Sequence, residues 1–155
     1  MRIHLLVPLL AVGLITACGG GDDGKQGAPK PAPSVADPVA AKAEITSTWE
    51  AFFKGGSPAE ARIVLLEDGE KFRAVVTGMA MSPEAADLGS KVTDVGLNGS
   101  KAAVTYNLLG KGGAVLVPGL TGEAVLAEGK WRVTQKSFCN LLRMNPGVPA
   151  PAVCS

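Results

Sequence analysis

Histidine is almost missing from this chain of 155 residues, and the single one present is His4. It lies in an N-terminal stretch that reads as a cleavable export signal, so the processed protein is expected to contain none. That excludes Ser-His-Asp and Cys-His catalysis and removes the commonest ligand of a catalytic zinc. A charge excess is lacking too. Lys+Arg number 15 against 14 Asp+Glu, and losing Arg2 with the signal leaves 14 of each. A neutral chain has no basic stripe for nucleic acid, and no nucleic-acid partner is expected. No apolar run reaches the roughly 20 residues that a helix needs to cross about 30 Å of hydrocarbon. Cysteines number three, none in a CxxC redox pair, and tyrosine occurs once, at Tyr106. No metal or other cofactor is implied.

What is present begins with an address. Arg2 and His4 form a short polar n-region, and Leu5 to Leu14 form an apolar h-region broken only by Pro8 and Gly13. This is too short for a permanent span and reads as a signal, residues 1–17. Ile15-Thr16-Ala17-Cys18 places an aliphatic and two small residues before a cysteine, and resembles the lipobox of bacterial lipoproteins. The resemblance implies cleavage before Cys18, lipid on its sulfur, and a protein held on the outer face of the cell membrane, which is then its partner; shedding is an open alternative. Two acyl chains suffice for stable anchoring where one does not. With Cys18 acylated, Cys139 and Cys154 remain as an even pair in an oxidising compartment and are expected to form a disulfide.

Residues 18–36 read as a spacer. GGGDDGKQGAPKPAPSVA is Gly-rich, then Pro-rich, with Val35 its only large aliphatic, and it has too little apolar surface to offset ordering. One folded domain, 37–155, follows. Asp37-Pro38 is an N-cap with proline at the first helical position. Ile45, Trp49, Phe52 and Phe53 recur at helical spacing up to Lys54, and Gly55-Gly56 stops the helix. Ser57-Pro58-Ala59-Glu60 reads as a capping box opening a short helix that carries Ala61, Val64 and Leu65. Glu70 to Ala80 predicts a third helix with Phe72, Val75, Val76 and Met79 on one side, and Ser82-Pro83-Glu84 one further turn.

From Lys91 the period becomes two. Val95 and Leu97 lead to Asn98-Gly99, a strong two-residue hairpin signal. Ala102, Val104, Tyr106 and Leu108 then share a face. Gly110-Lys111-Gly112-Gly113 reads as a turn, since it lacks the strand-to-helix setting of a phosphate loop. Residues 114–128 form a long strand broken by a bulge or bend at Pro118-Gly119. A last strand places Trp131 and Val133 on one face, with Arg132, Thr134, Lys136 and Phe138 on the other. A Pro-rich tail over 145–155 is expected to be stapled to that strand by the disulfide. Helices first and about four antiparallel strands afterwards predict an α+β fold, N-terminal helices packed on a curved antiparallel sheet.

The order of elements resembles the nuclear-transport-factor-2-like, or cystatin-like, cone, in which a long first helix lies in the concavity of the sheet. The local text is closer to one actinobacterial group. Ile45 to Phe53, Ser57-Pro58-Ala59-Glu60, Leu65-Leu66-Glu67-Asp68-Gly69, Lys130-Trp131-Arg132-Val133, Phe138-Cys139-Asn140-Leu141-Leu142 and Cys154 resemble the low-molecular-weight antigen lipoproteins of mycobacteria and relatives. The resemblance spans 37–155 and implies an exported antigen, with little said of activity.

Two classes of function follow. The first is a non-enzymatic surface lipoprotein binding a small apolar ligand or an envelope protein, with Trp49, Phe53, Phe72, Tyr106 and Trp131 as pocket lining, residues that in most domains are plain core. The second is suggested by cone-shaped relatives, an acid/base isomerase or dehydratase using Tyr106 with Asp94, Glu67 or Asp68. It requires one acid buried near a polarising donor. No residue set is assigned a catalytic role. A purely structural antigen is the third possibility.

Overall fold

The computed structural model describes residues 36–145, 147 and 150–155. The signal, Cys18 and the spacer up to residue 35 lie outside the described residues.

The first helix, α1 (Pro38–Phe53), starts where its cap is written: Asp37 Oδ1 accepts from the Val39 and Ala40 N–H groups at 2.9 and 3.1 Å. Ile45, Trp49 and Phe52 are buried along it. The helix stops because the Gly55 N–H turns away to the Leu88 carbonyl, 2.7 Å off. Gly55 is required by proximity: a Cβ there would stand 2.2 Å from the Ala86 carbonyl oxygen.

The expected capping box does not form. Proline occupies the cap position itself, α2 runs only over Ala59–Ile63, and no side chain caps it. The Ser57 N–H is already bonded to Lys54 O, and Glu60 pairs with Arg73. The phase of this helix also differs from the expectation. Ala61 and Val64 face solvent, while Arg62, Ile63 and Leu66 are buried. The reversal follows from the next contact: the Leu65–Glu67 segment pairs with the sheet edge, Val133 N–H to Leu65 O and Glu67 N–H to Val133 O, both 2.9 Å. Where a helix is expected from Glu70, a 3-10 turn (Gly69–Phe72) comes first and leads into α3 (Arg73–Met81); Phe72 in the turn and Val76 in the helix are buried, on the side that the pattern predicts. A second turn, Pro83–Asp87, follows.

The sheet is an antiparallel meander in the order β1 (Gly89–Asn98), β2 (Lys101–Leu109), β3 (Val115–Ala127), β4 (Lys130–Val133). The first hairpin is shifted by one residue from the expected turn. Asn98 pairs with Lys101, so Gly99 and Ser100 form the loop, with Gly99 at φ +58°. Positive φ at the first loop position alone is the pattern of a type II′ turn. Ala102, Val104 and Tyr106 are buried on one face, as their alternation requires, and α1 lies across it. Two α1 carboxylates satisfy the sheet's two edge strands: Glu50 accepts from Val92 N–H on β1 and Glu44 from Trp131 N–H on β4, each at 3.2 Å. Six helical residues advance about 9 Å, whereas four strands span about 14 Å, so the sheet curves around the helix to meet both.

Trp49 fits under this curve because β3 has no side chain at Gly122. A Cβ there would lie 2.6 Å from the indole ring and 3.2 Å from Ser137 Oγ. Gly122→Val is therefore expected to force Trp49 from its seat and destabilise the domain by about 1–3 kcal/mol. Urea unfolding checks this through the shift in midpoint, and an unchanged midpoint contradicts the packing described.

The last strand is shorter than expected. It ends at Val133, and α4 (Gln135–Met144) takes over, so Lys136 and Phe138 are helical. Thr134 Oγ1 accepts from Ser137 N–H at 3.2 Å and Glu67 Oε2 from Gln135 N–H at 3.0 Å, which satisfies two of the helix's first donors. Phe138, Cys139 and Leu142 are its buried side. The Cys139–Cys154 disulfide therefore staples the tail to a helix and not to a strand. Arg143 and Gln135 strengthen the clasp by donating to the Cys154 and Val153 carbonyls at 2.6 and 2.8 Å.

Candidate functional site

A cavity of about 230 Å³ lies among the ends of α1, α2, α3 and α4 and the β2–β3 surface. Its wall is almost wholly apolar. Phe52 and Phe53 come from α1, Val76 and Met79 from α3, Leu108 from β2, Val117 and Leu120 from β3, and Phe138, Leu141 and Leu142 from α4; Arg62 and Asn145 are the polar members.

The bulge foreseen at Pro118-Gly119 builds one side of it. Residues three apart on a regular strand point to opposite faces. Here Leu120 pairs with Tyr106 and Val117 with Leu108, so two β2 steps face three on β3, and both side chains enter the cavity wall. Gly119, at φ +66°, supplies the backbone conformation, and its N–H donates to Asn107 Oδ1 at 2.9 Å. The mouth lies by Val117 and Met144, which are 40% and 58% exposed. Two thioethers, Met79 and Met144, give the wall adaptable side chains.

Of the aromatics expected to line a pocket, only Phe53 does so. Trp49, Phe72 and Trp131 are 1%, 0% and 3% exposed and fill the core. Tyr106 stacks behind the wall, its ring centroid 5.2 Å from Trp49 and 5.3 Å from Phe53. The rings satisfy one another, so the space left open falls to aliphatic side chains near the helix ends. Phe52 and Phe138, in edge-to-face contact at 5.5 Å, are lining aromatics that were not among those expected to form a pocket.

The acid/base constellation is not assembled. Burial raises the Tyr106 phenol above its ordinary pKa, but among the described residues no carboxylate hydrogen-bonds to it. Asp94 is exposed, Asp68 is exposed and paired with Lys71 at 2.7 Å, and Glu67 is engaged at the start of α4.

Arg62 is the residue that sequence reasoning missed. It is 6% exposed, lines the cavity, and donates from Nη2 to the Lys54 carbonyl at 2.7 Å. Its Nε is buried with no partner, and desolvation lowers the guanidinium pKa from its ordinary value. No periodicity flags an arginine as buried, because such residues are almost never inside unless paired.

Residues 38–148 match a family model described as low molecular weight antigen MTB12, C-terminal domain. No curated protein matches. Among solved structures, the chain is similar to the crystal structure of an NTF2-like protein of unknown function from Methylobacillus flagellatus KT. The identity is 14% and the TM-score 0.47, covering 65% of this chain and 92% of that one.

Proposed function

The chain belongs to the family of the low molecular weight antigen MTB12, C-terminal domain, and from that premise we propose an exported, lipid-anchored surface lipoprotein that binds a small apolar ligand without chemical conversion. The cavity carries this reading: about 230 Å³ of space whose apolar walls come from α1, α3 and α4 and from two strands. Apolar surface around an open space this size is what a hydrophobic ligand removes from water, at roughly 25 cal/mol per Å².

Neutral Nile red is expected to brighten and shift to the blue on the wild-type domain. Leu108→Trp, which extends a half-buried wall residue into the space, is expected to reduce that response at least tenfold while leaving the circular dichroism spectrum unchanged. An undiminished response in this folded variant contradicts the cavity as the binding site.

The anchoring part rests on Ile15-Thr16-Ala17-Cys18. Cys18→Ala is expected to move the protein from the membrane fraction to the soluble one and to abolish the lipid mass increment. Identical fractionation of variant and wild type overturns it. An envelope protein as partner is the second reading, favoured by Val115 and Leu116, which stand 53% and 56% exposed on β3.

A further inference from the structure

An apolar ligand alone leaves one wall residue unexplained. Arg62 is 6% exposed, and a single hydrogen bond, to Lys54 O, is formed by its side chain. Its Nε has no partner, and no carboxylate among the described residues lies within ion-pairing distance. Removing a charge from water without a counter-charge is costly. A lysine relieves such a cost by shedding its proton, but a guanidinium does not deprotonate in proteins. The cavity therefore has a permanent positive charge in a wall that is otherwise apolar apart from Asn145.

We propose that the cavity takes a single-chain carboxylate amphiphile, with its acid group against Arg62 and its hydrocarbon between α4 and the β2–β3 surface. This rests on the binding reading above and adds the chemistry of the head group. A carboxylate matches the planar guanidinium fork through two parallel N–H···O bonds. A single cation with the Lys54 carbonyl oxygen already beside it suits a monoanion better than a doubly charged phosphate. At about 30 Å³ per water-sized group, a space of about 230 Å³ holds roughly eight such groups. That is a short acid, or the head end of a longer one whose tail leaves past Val117 and Met144.

Titration calorimetry of the full domain with octanoate and with 1-octanol tests the assignment. The wild type is expected to bind the acid about ten- to hundred-fold more tightly than the alcohol, the range that hydrogen bonds to a charged group supply. Arg62→Met is expected to bind the two equally, and Arg62→Lys to recover part of the preference. Equal binding of acid and alcohol by the wild type, or a preference that survives in Arg62→Met, overturns the proposal.

A second measurement stands even if the variants do not fold. Carboxyl-labelled octanoate bound to the wild type is expected to titrate, by carbon-13 shift, below its free value, because the opposite charge favours the ionised form. A raised or unmoved value contradicts a carboxylate on Arg62. If Nile red and octanol bind but octanoate gains nothing, only the head-group assignment fails. If nothing binds, the cavity reading fails with it.

Discussion

Trp49→Ala should destabilise the domain by about 3–5 kcal/mol, at the upper end for a core aromatic. The indole is 1% exposed and connects the parts of the fold that have to agree. It sits on α1 over the vacancy at Gly122 in β3, and its ring lies 5.2 Å from Tyr106 on β2 and 6.0 Å from Phe53. Removing it withdraws the surface against which the sheet curves, while Glu44 and Glu50 still hold the two edges, so the space left cannot close by simple collapse. Its Nε1–H is buried without an acceptor, an arrangement that costs about 1–3 kcal/mol. Trp49→Phe should consequently lose much less than the change in volume alone predicts. Guanidinium unfolding measures both, as shifts of midpoint at constant slope. If alanine costs under about 1 kcal/mol, the indole is not the centre of the core and the packing account is wrong.

The second large effect belongs to the disulfide. Cys139 and Cys154 are 15 residues apart, and closing a loop of that size contributes about 3 kcal/mol in the chain-entropy treatment. Cys139→Ala with Cys154→Ala should therefore lower the melting temperature by roughly 10 °C. Reducing agent should have the same effect on the wild type and none on the double variant. Binding should weaken as well. The bond clamps the tail to α4, the helix that contributes Phe138, Leu141 and Leu142 to the cavity wall. A melting temperature that is indifferent to both reduction and substitution would show that the tail contributes nothing to the fold.

The α+β division and much of the helical half were legible in the sequence because each element carries its own local chemistry. Asp37-Pro38 marks the start of α1, and Ile45, Trp49 and Phe52 mark its buried side. Pro118-Gly119 marks the bulge in β3. What local chemistry did not determine was decided by long-range contacts. The phase of α2 depends on Leu65–Glu67 docking at the edge of β4, a partner more than sixty residues away. The segment after Val133 alternates well enough to pass for a strand. Thr134 as a cap, with Phe138 and Leu142 four apart, was the available sign of α4, and Glu67 completes its start from a distant part of the chain.

The site was less legible than the fold for a related reason. A cavity forms where side chains fail to fill space, and that depends on which residues become neighbours. The large aromatics drew attention, yet Trp49, Phe72 and Trp131 pack so well that they leave no room. The open space falls among aliphatic residues at the helix ends, with Arg62 held in its wall by one backbone carbonyl.

The account is tested most directly by a native mass spectrum of the protein gently extracted from the cell envelope in which it is made. It predicts a species carrying, besides the lipid on Cys18, a non-covalent adduct with the mass of a single-chain acid, and that adduct should be absent from Leu108→Trp. A wild-type protein that carries no small molecule, or that carries a partner subunit in its place, contradicts it.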